Sequence, residues 1–143
     1  MLIEPALPEK LRPEEEFTRF IKNRDYFAAT TGRVKPHALR PVFNDESQRF
    51  KTSTFRSFGL TDGSLWQLGY DHVEYAEPGG TIRARATGAF ALVKNPLSLD
   101  INGEPYPRHV DIIGWPQQKH DQMQHAANIT DKLVLEIDPR PHT

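Results

Sequence analysis

The spacing of apolar residues changes several times along this chain, and each change marks an element. From Pro13 onward, Phe17, Phe20 and Ile21 recur at intervals of three and four, one stripe of a helix. Proline suits a first helical turn, and Glu14, Glu15 and Glu16 suit the positive end of its dipole. The pattern predicts a helix from Pro13 to about Asp25. A second helical stripe runs through Leu65, Leu68, Gly69, His72, Val73 and Ala76, with Thr61 as its cap and Pro78-Gly79-Gly80 as its stop. A third uses Met123, Ala126, Ala127, Ile129 and Thr130, from Pro116 to about Lys132.

Between these helices the period drops to two. Arg49 to Phe58 is rich in Thr and Phe and reads as a strand, with Phe50, Thr52, Thr54, Arg56 and Phe58 on one face. Arg56 is then bracketed by apolar neighbours and needs a fixed acceptor. Thr81 to Thr87 alternates, with Arg83, Arg85 and Thr87 opposite Ile82, Ala84 and Ala86. Leu97 to Ile101 and Leu133 to Ile137 read as further strands, and Ala89 to Lys94 fits either helix or strand. Lys35 before Pro36 is extended, and Pro41 keeps this segment irregular. The expected fold is α+β: a mixed, mainly antiparallel sheet with about three helices, the last packed across the sheet. The expected organisation is an extended arm over 1–12, broken by Pro5 and Pro8, a single domain over 13–138 and a tail over 139–143.

The densest chemistry lies between Arg108 and Pro116, Arg-His-Val-Asp-Ile-Ile-Gly-Trp-Pro. Read as a strand, it places His109, Asp111, Ile113 and Trp115 on one face. His109 and Asp111 at its entering end form a candidate acid–base pair, against the plainer reading of a hydrogen-bonded structural histidine. Gly114 marks a turn or a close approach, and Trp115, an apolar body with one N–H donor, is expected to be largely buried between the last helix and the sheet. Pro116 stops the strand and can open a helix.

Composition narrows the function classes. Eighteen Lys and Arg face nineteen Asp and Glu, a net charge of −1 over 143 residues. That balance argues against a dedicated nucleic-acid coat, but not against a local basic site. With no cysteine, there is no disulfide, thiolate nucleophile or Cys-ligated metal. His120 and His125 are five apart on the third helix and do not form a chelating pair, so no metal or cofactor is predicted. No apolar run approaches the roughly 18 residues of a membrane helix. The opening residues carry acids and prolines in place of a basic then apolar leader. The expectation is a cytoplasmic protein that does not enter a membrane. There is no Walker A loop, no G-x-G-x-x-G and no G-x-S-x-G.

Val34-Lys35, Thr54-Phe55-Arg56, Arg85-Ala86, and His109 with Ile112, Trp115, Pro116 and Lys119 together carry a resemblance. On them the chain resembles a family of small uncharacterised bacterial proteins. The resemblance spans most of the chain loosely and implies no activity. The residues themselves give two functional expectations. In the first, Lys35, Arg56, Arg85, Arg108 and Lys119 converge near His109 and Asp111 to hold a phosphate-bearing ligand, a nucleotide or RNA. Trp115 stacks on the base and His109 transfers a proton, as in a phosphoester- or group-transferring enzyme. The second expectation is a non-catalytic interaction module or accessory subunit, binding a protein partner through the proline-rich arm. Whether Arg56, Arg85 and His109 share one pocket separates the two.

Overall fold

A computed structural model describes residues 7, 8, 10–74, 80–103 and 106–140. Among these residues nine strands and two α-helices succeed one another. They are β1 (Glu16–Ile21), β2 (Phe27–Ala28), β3 (Arg33–Val34), β4 (Val42–Asn44), β5 (Arg49–Arg56), α1 (Asp62–Gly69), β6 (Ala84–Ala89), β7 (Ser98–Asp100), β8 (His109–Ile113), α2 (Lys119–Thr130) and β9 (Val134–Ile137). Seven strands form one sheet in the order β7-β8-β5-β1-β6-β9, with β4 beside the first residues of β5. β2 and β3 make a separate hairpin. Every described pairing is antiparallel.

The first predicted helix is a strand. Residues 16–21 pair along their whole length with β6, and Phe17 and Thr18 also pair with β5. A central strand is covered on both faces, so its apolar residues need not alternate. Phe17 and Ile21 enter one core and Phe20 the other, which along the sequence mimics a helical stripe. Pairing on two sides outweighs the modest helical preference of the preceding glutamates. Among the described residues there are therefore two α-helices, not three.

The other predicted elements form with shifted ends, β6 running over Ala84–Ala89 in place of Thr81–Thr87, while β2, β3 and β4 lie outside the strands that the pattern predicts. α1 starts at Thr61, whose hydroxyl accepts the Ser64 amide at 3.2 Å. It continues as a wider π-turn over Tyr70–Glu74, while Ala76 lies outside the described residues. Phe90–Leu92, open between helix and strand, is a short 3-10 turn. α2 begins three residues later than Pro116.

Strand register sorts the side chains. Phe55 lies opposite both Thr18 and His109, Ser53 opposite Asp111, and Phe20 opposite Arg85, so these residues share one face. On the other face, Phe17, Ile21, Ala84, Ala86, Val110 and Ile112 form the main core with Leu39, Ala126, Ile129 and Trp115. Each fully buried large side chain here contributes about 1.5–3 kcal/mol relative to exposure. α1 covers part of the first face, packing Leu65, Trp66 and Leu68 on Phe20, Phe55 and Ile82. It approaches so closely that a Cβ on Gly69 would lie 2.5 Å from the Phe20 ring. α1 leaves the β4-β5-β8 corner of that face uncovered, and the candidate site lies there.

Candidate functional site

β8 enters the sheet at His109 because β5 supplies a partner at each position from Thr52 to Phe55. This register sets His109 and Asp111 beside Ser53 and Phe55. His109 Nε2 lies 2.9 Å from Ser53 Oγ and 3.4 Å from Asp111 Oδ1. His109 is 7% exposed and its ring meets the Phe55 ring edge-on at 5.7 Å. Lys51 Nζ stands 3.7 Å from Asp111 Oδ2, and Asn102 Nδ2 donates to the same oxygen at 3.3 Å. His109 Nδ1 is buried and has no hydrogen-bond partner among the described residues.

These groups line a cavity of about 570 Å³. Phe20, Phe55, Val73 and Tyr106 form its apolar wall, Val42 of β4 borders it beside Lys51, and Arg19, Arg40 and Lys51 supply cations. Arg19 is committed to the protein, donating to Ala38 O at 3.0 Å and Ser53 O at 2.9 Å. Arg40 is exposed, and its guanidinium makes no ion pair or hydrogen bond with the described residues. Tyr106 is stacked on His72 of the π-turn, with ring centroids 3.9 Å apart.

The structure brings His109 and Asp111 together but leaves the other expected site residues elsewhere. Arg56 lies on the opposite face, 3% exposed, with Nε and Nη2 forked onto the Glu15 carboxylate at 2.9 and 2.7 Å. Its Nη2 also holds Pro8 O at 3.0 Å, which ties this part of the arm to the sheet. Arg85 shares the face of His109 but lies three strands away, about 14 Å at the usual strand spacing. It pairs with Glu136 at 2.7 Å and Asp62 at 3.1 Å under the Trp66 ring. Arg108 is buried and spends Nη1 on the carbonyls of Arg56 and Phe58. Lys35 lies before the turn that carries Ala38 and Leu39, and Lys119 opens α2, and neither lines the cavity.

Trp115 is a core residue, its indole N–H donating to Ile112 O at 3.0 Å. The strand alternation that put it beside His109 stops at Gly114. There φ is +83°, and a Cβ would collide with Pro96 O. The backbone turns, and the indole packs with Ile112 instead of Asp111.

The sequence reading missed Lys51 and Ser53. Their signal was present, since Lys51, Ser53 and Phe55 are the alternate positions to Thr52, Thr54 and Arg56. Arg40 and Tyr106 come from segments with no periodicity, and only the folded chain delivers them to the cavity.

A second polar cluster lies at the far end of the π-turn. Arg140 forks onto Glu74 at 3.0 and 2.7 Å and donates Nε to Asp138 at 2.9 Å. The Tyr70 hydroxyl donates to Asp138 at 2.6 Å, and the guanidinium lies 3.7 Å over the Tyr70 ring. Hydrogen bonds from Arg140 hold the Glu74 carboxyl below its usual range, against burial. Burial by itself would raise the Asp138 carboxyl, but Arg140 and Tyr70 outweigh it and keep it low. Burial, with Asp138 next, pushes the Tyr70 phenol up to about 12.

Among the described residues, no three His, Asp or Glu side chains converge as a metal site would require. No described helix is long and apolar enough to cross a membrane. Comparison of the chain with protein-family models, curated proteins and solved structures finds no match.

Proposed function

We propose that the His109 cavity binds a small anionic ligand bearing an aromatic ring, with a mononucleotide as the type case. The observation that carries this reading is the pairing of an uncommitted cation, Arg40, with the Lys51-Asp111-His109-Ser53 cluster beside an aromatic wall. Volume agrees, since small-ligand pockets span about 300–1,000 Å³. Arg40 offers a planar fork for an oxyanion, and Lys51 adds a charged donor. Phe55 and Tyr106 offer ring faces or edges to a base. The expected convergence of Lys35, Arg56, Arg85, Arg108 and Lys119 on His109 does not occur, and the proposal rests instead on Arg40 and Lys51.

The arrangement favours binding over chemistry. A serine nucleophile needs a histidine whose one nitrogen takes the hydroxyl proton while the other is held by the acid. Here Ser53 and Asp111 face the same nitrogen, Nε2. A carboxylate at that nitrogen favours the proton there, which removes the lone pair a general base would use. The remaining nitrogen, Nδ1, is shut away from solvent.

The test is an NMR titration of the chain with adenosine monophosphate and, separately, inorganic phosphate. Expected are shifts at His109, Tyr106 and Lys51, and a weakening of about tenfold or more in Arg40→Ala or Lys51→Ala, the usual range for losing a charged donor. No shift at millimolar nucleotide would overturn the proposal. Shifts confined to Arg85, Lys119 or the residues around Pro8 would also overturn it and favour the interaction-module reading.

A further inference from the structure

We infer that Arg140 is a positioning residue for the cavity, acting through the π-turn that builds one of its walls. The inference rests on the ligand-binding reading above. Its physical basis is a short chain of contacts. The π-turn Tyr70–Glu74 has Val73 on the cavity wall and His72 stacked on Tyr106, the next wall residue. A π-turn is a wide, uncommon geometry, and it persists only where neighbours over-determine it. Arg140 supplies that restraint at both ends of the turn. It forks onto Glu74 at the last residue, and it stacks on Tyr70 at the first. Asp138 closes the loop by taking the Tyr70 hydroxyl and the Arg140 Nε together. Glu74 also accepts the Ile82 amide at 3.0 Å, so the turn is tied to the chain entering β6 as well.

Arg140 itself does not line the cavity, so its effect on a ligand is indirect. With the fork removed, Tyr70 loses its stacking cation and Glu74 its counter-ion. The turn then has fewer restraints, and Val73 and His72-Tyr106 sample more positions. Ligand binding must then order that wall, and affinity falls by that cost. The floor of the cavity, on β5 and β8, is held by backbone pairing and is unaffected.

The experiment compares wild type, Arg140→Ala and Arg140→Lys by nucleotide titration and by amide hydrogen exchange. Adenosine monophosphate is the probe. Expected for Arg140→Ala is a dissociation constant raised about tenfold, and exchange at residues 70–74 accelerated by a larger factor than at Ile112 and Val110, whose amides report the global loss of stability. Arg140→Lys keeps the charge but not the fork and should recover part of the affinity. If wild type binds and Arg140→Ala binds equally well, the inference fails while the cavity reading stands. An Arg140→Ala protein whose exchange rises by the same factor at residues 70–74 as at Ile112 and Val110 has lost only global stability, and positioning is then rejected. If wild type does not bind, the cavity reading fails and the inference falls with it.

Discussion

Arg56 shows how a single residue can be judged before and after folding. Its apolar bracketing on β5 required a fixed acceptor, and Glu15 is that acceptor, both side chains almost wholly buried. The pair is a structural tie between the segment before β1 and the sheet, not a ligand site. Breaking a buried pair leaves one uncompensated charge, typically at a cost of about 3–5 kcal/mol, whereas replacing both partners by apolar groups is often close to neutral. Arg56→Met should therefore lower the unfolding free energy by that amount, and Arg56→Met with Glu15→Leu should recover most of it. Urea unfolding of wild type, Arg56→Met, Glu15→Leu and the double variant checks this. A double-variant loss equal to the sum of the two single losses would mean that the two side chains are not coupled.

At the scale of elements, the decisive point is the corner after β8. His109 to Ile113 places successive side chains on alternate faces of the sheet, and Gly114 ends this with a conformation that L side chains avoid. That one residue sends Trp115 into the main core and leaves His109 and Asp111 on the opposite face. Gly114→Ala meets two penalties, a positive φ and a clash with the Pro96 carbonyl. Backbone strain and overpacking of this kind cost about 1–3 kcal/mol each. The expected result is a clear fall in melting temperature and a less buried Trp115, read as a red shift of its fluorescence in Trp66→Phe background. An unchanged melting temperature would show that the corner relaxes freely. β1 makes the complementary point, because its Phe17, Phe20 and Ile21 serve two cores and so imitate a helix along the sequence.

For the whole molecule, the polar cluster of Tyr70, Glu74, Asp138 and Arg140 makes stability depend on pH. Glu74 and Asp138 titrate below their ordinary values of 4.5 and 3.8. Their contribution is therefore complete above those values and is lost as pH falls through the depressed ones. Tyr70 is raised from 10.0 to about 12. Its contribution is complete below 10 and is lost as pH rises towards 12. The cluster is thus intact from about pH 5 to pH 9. The stability gap between wild type and Arg140→Ala should be constant across that window and should narrow towards pH 3. Urea midpoints at pH 7 and pH 3 measure it, and a gap of the same size at both would remove Glu74 and Asp138 as its source.

The sequence alone determined whatever depends on neighbours in the chain. The alternation of β5 and β9, the Thr61 cap of α1, the extended Lys35 before Pro36 and the Gly114-Trp115-Pro116 corner all follow from local sterics and periodicity. His109 and Asp111 are two apart on one strand, so their pairing was legible as well. Tertiary structure decided what depends on partners distant in sequence. It made β1 a strand, because β5 and β6 supply hydrogen bonds that no local pattern records. It gave Arg56 to Glu15, and Arg85 to Glu136 and Asp62, since a guanidinium removed from water takes the acceptor that folding brings to it. It also chose Arg40, Lys51 and Tyr106 for the cavity. Sequence periodicity assigns a side chain to a face, but which strands lie side by side, and which loops close over them, is set by long-range pairing and packing.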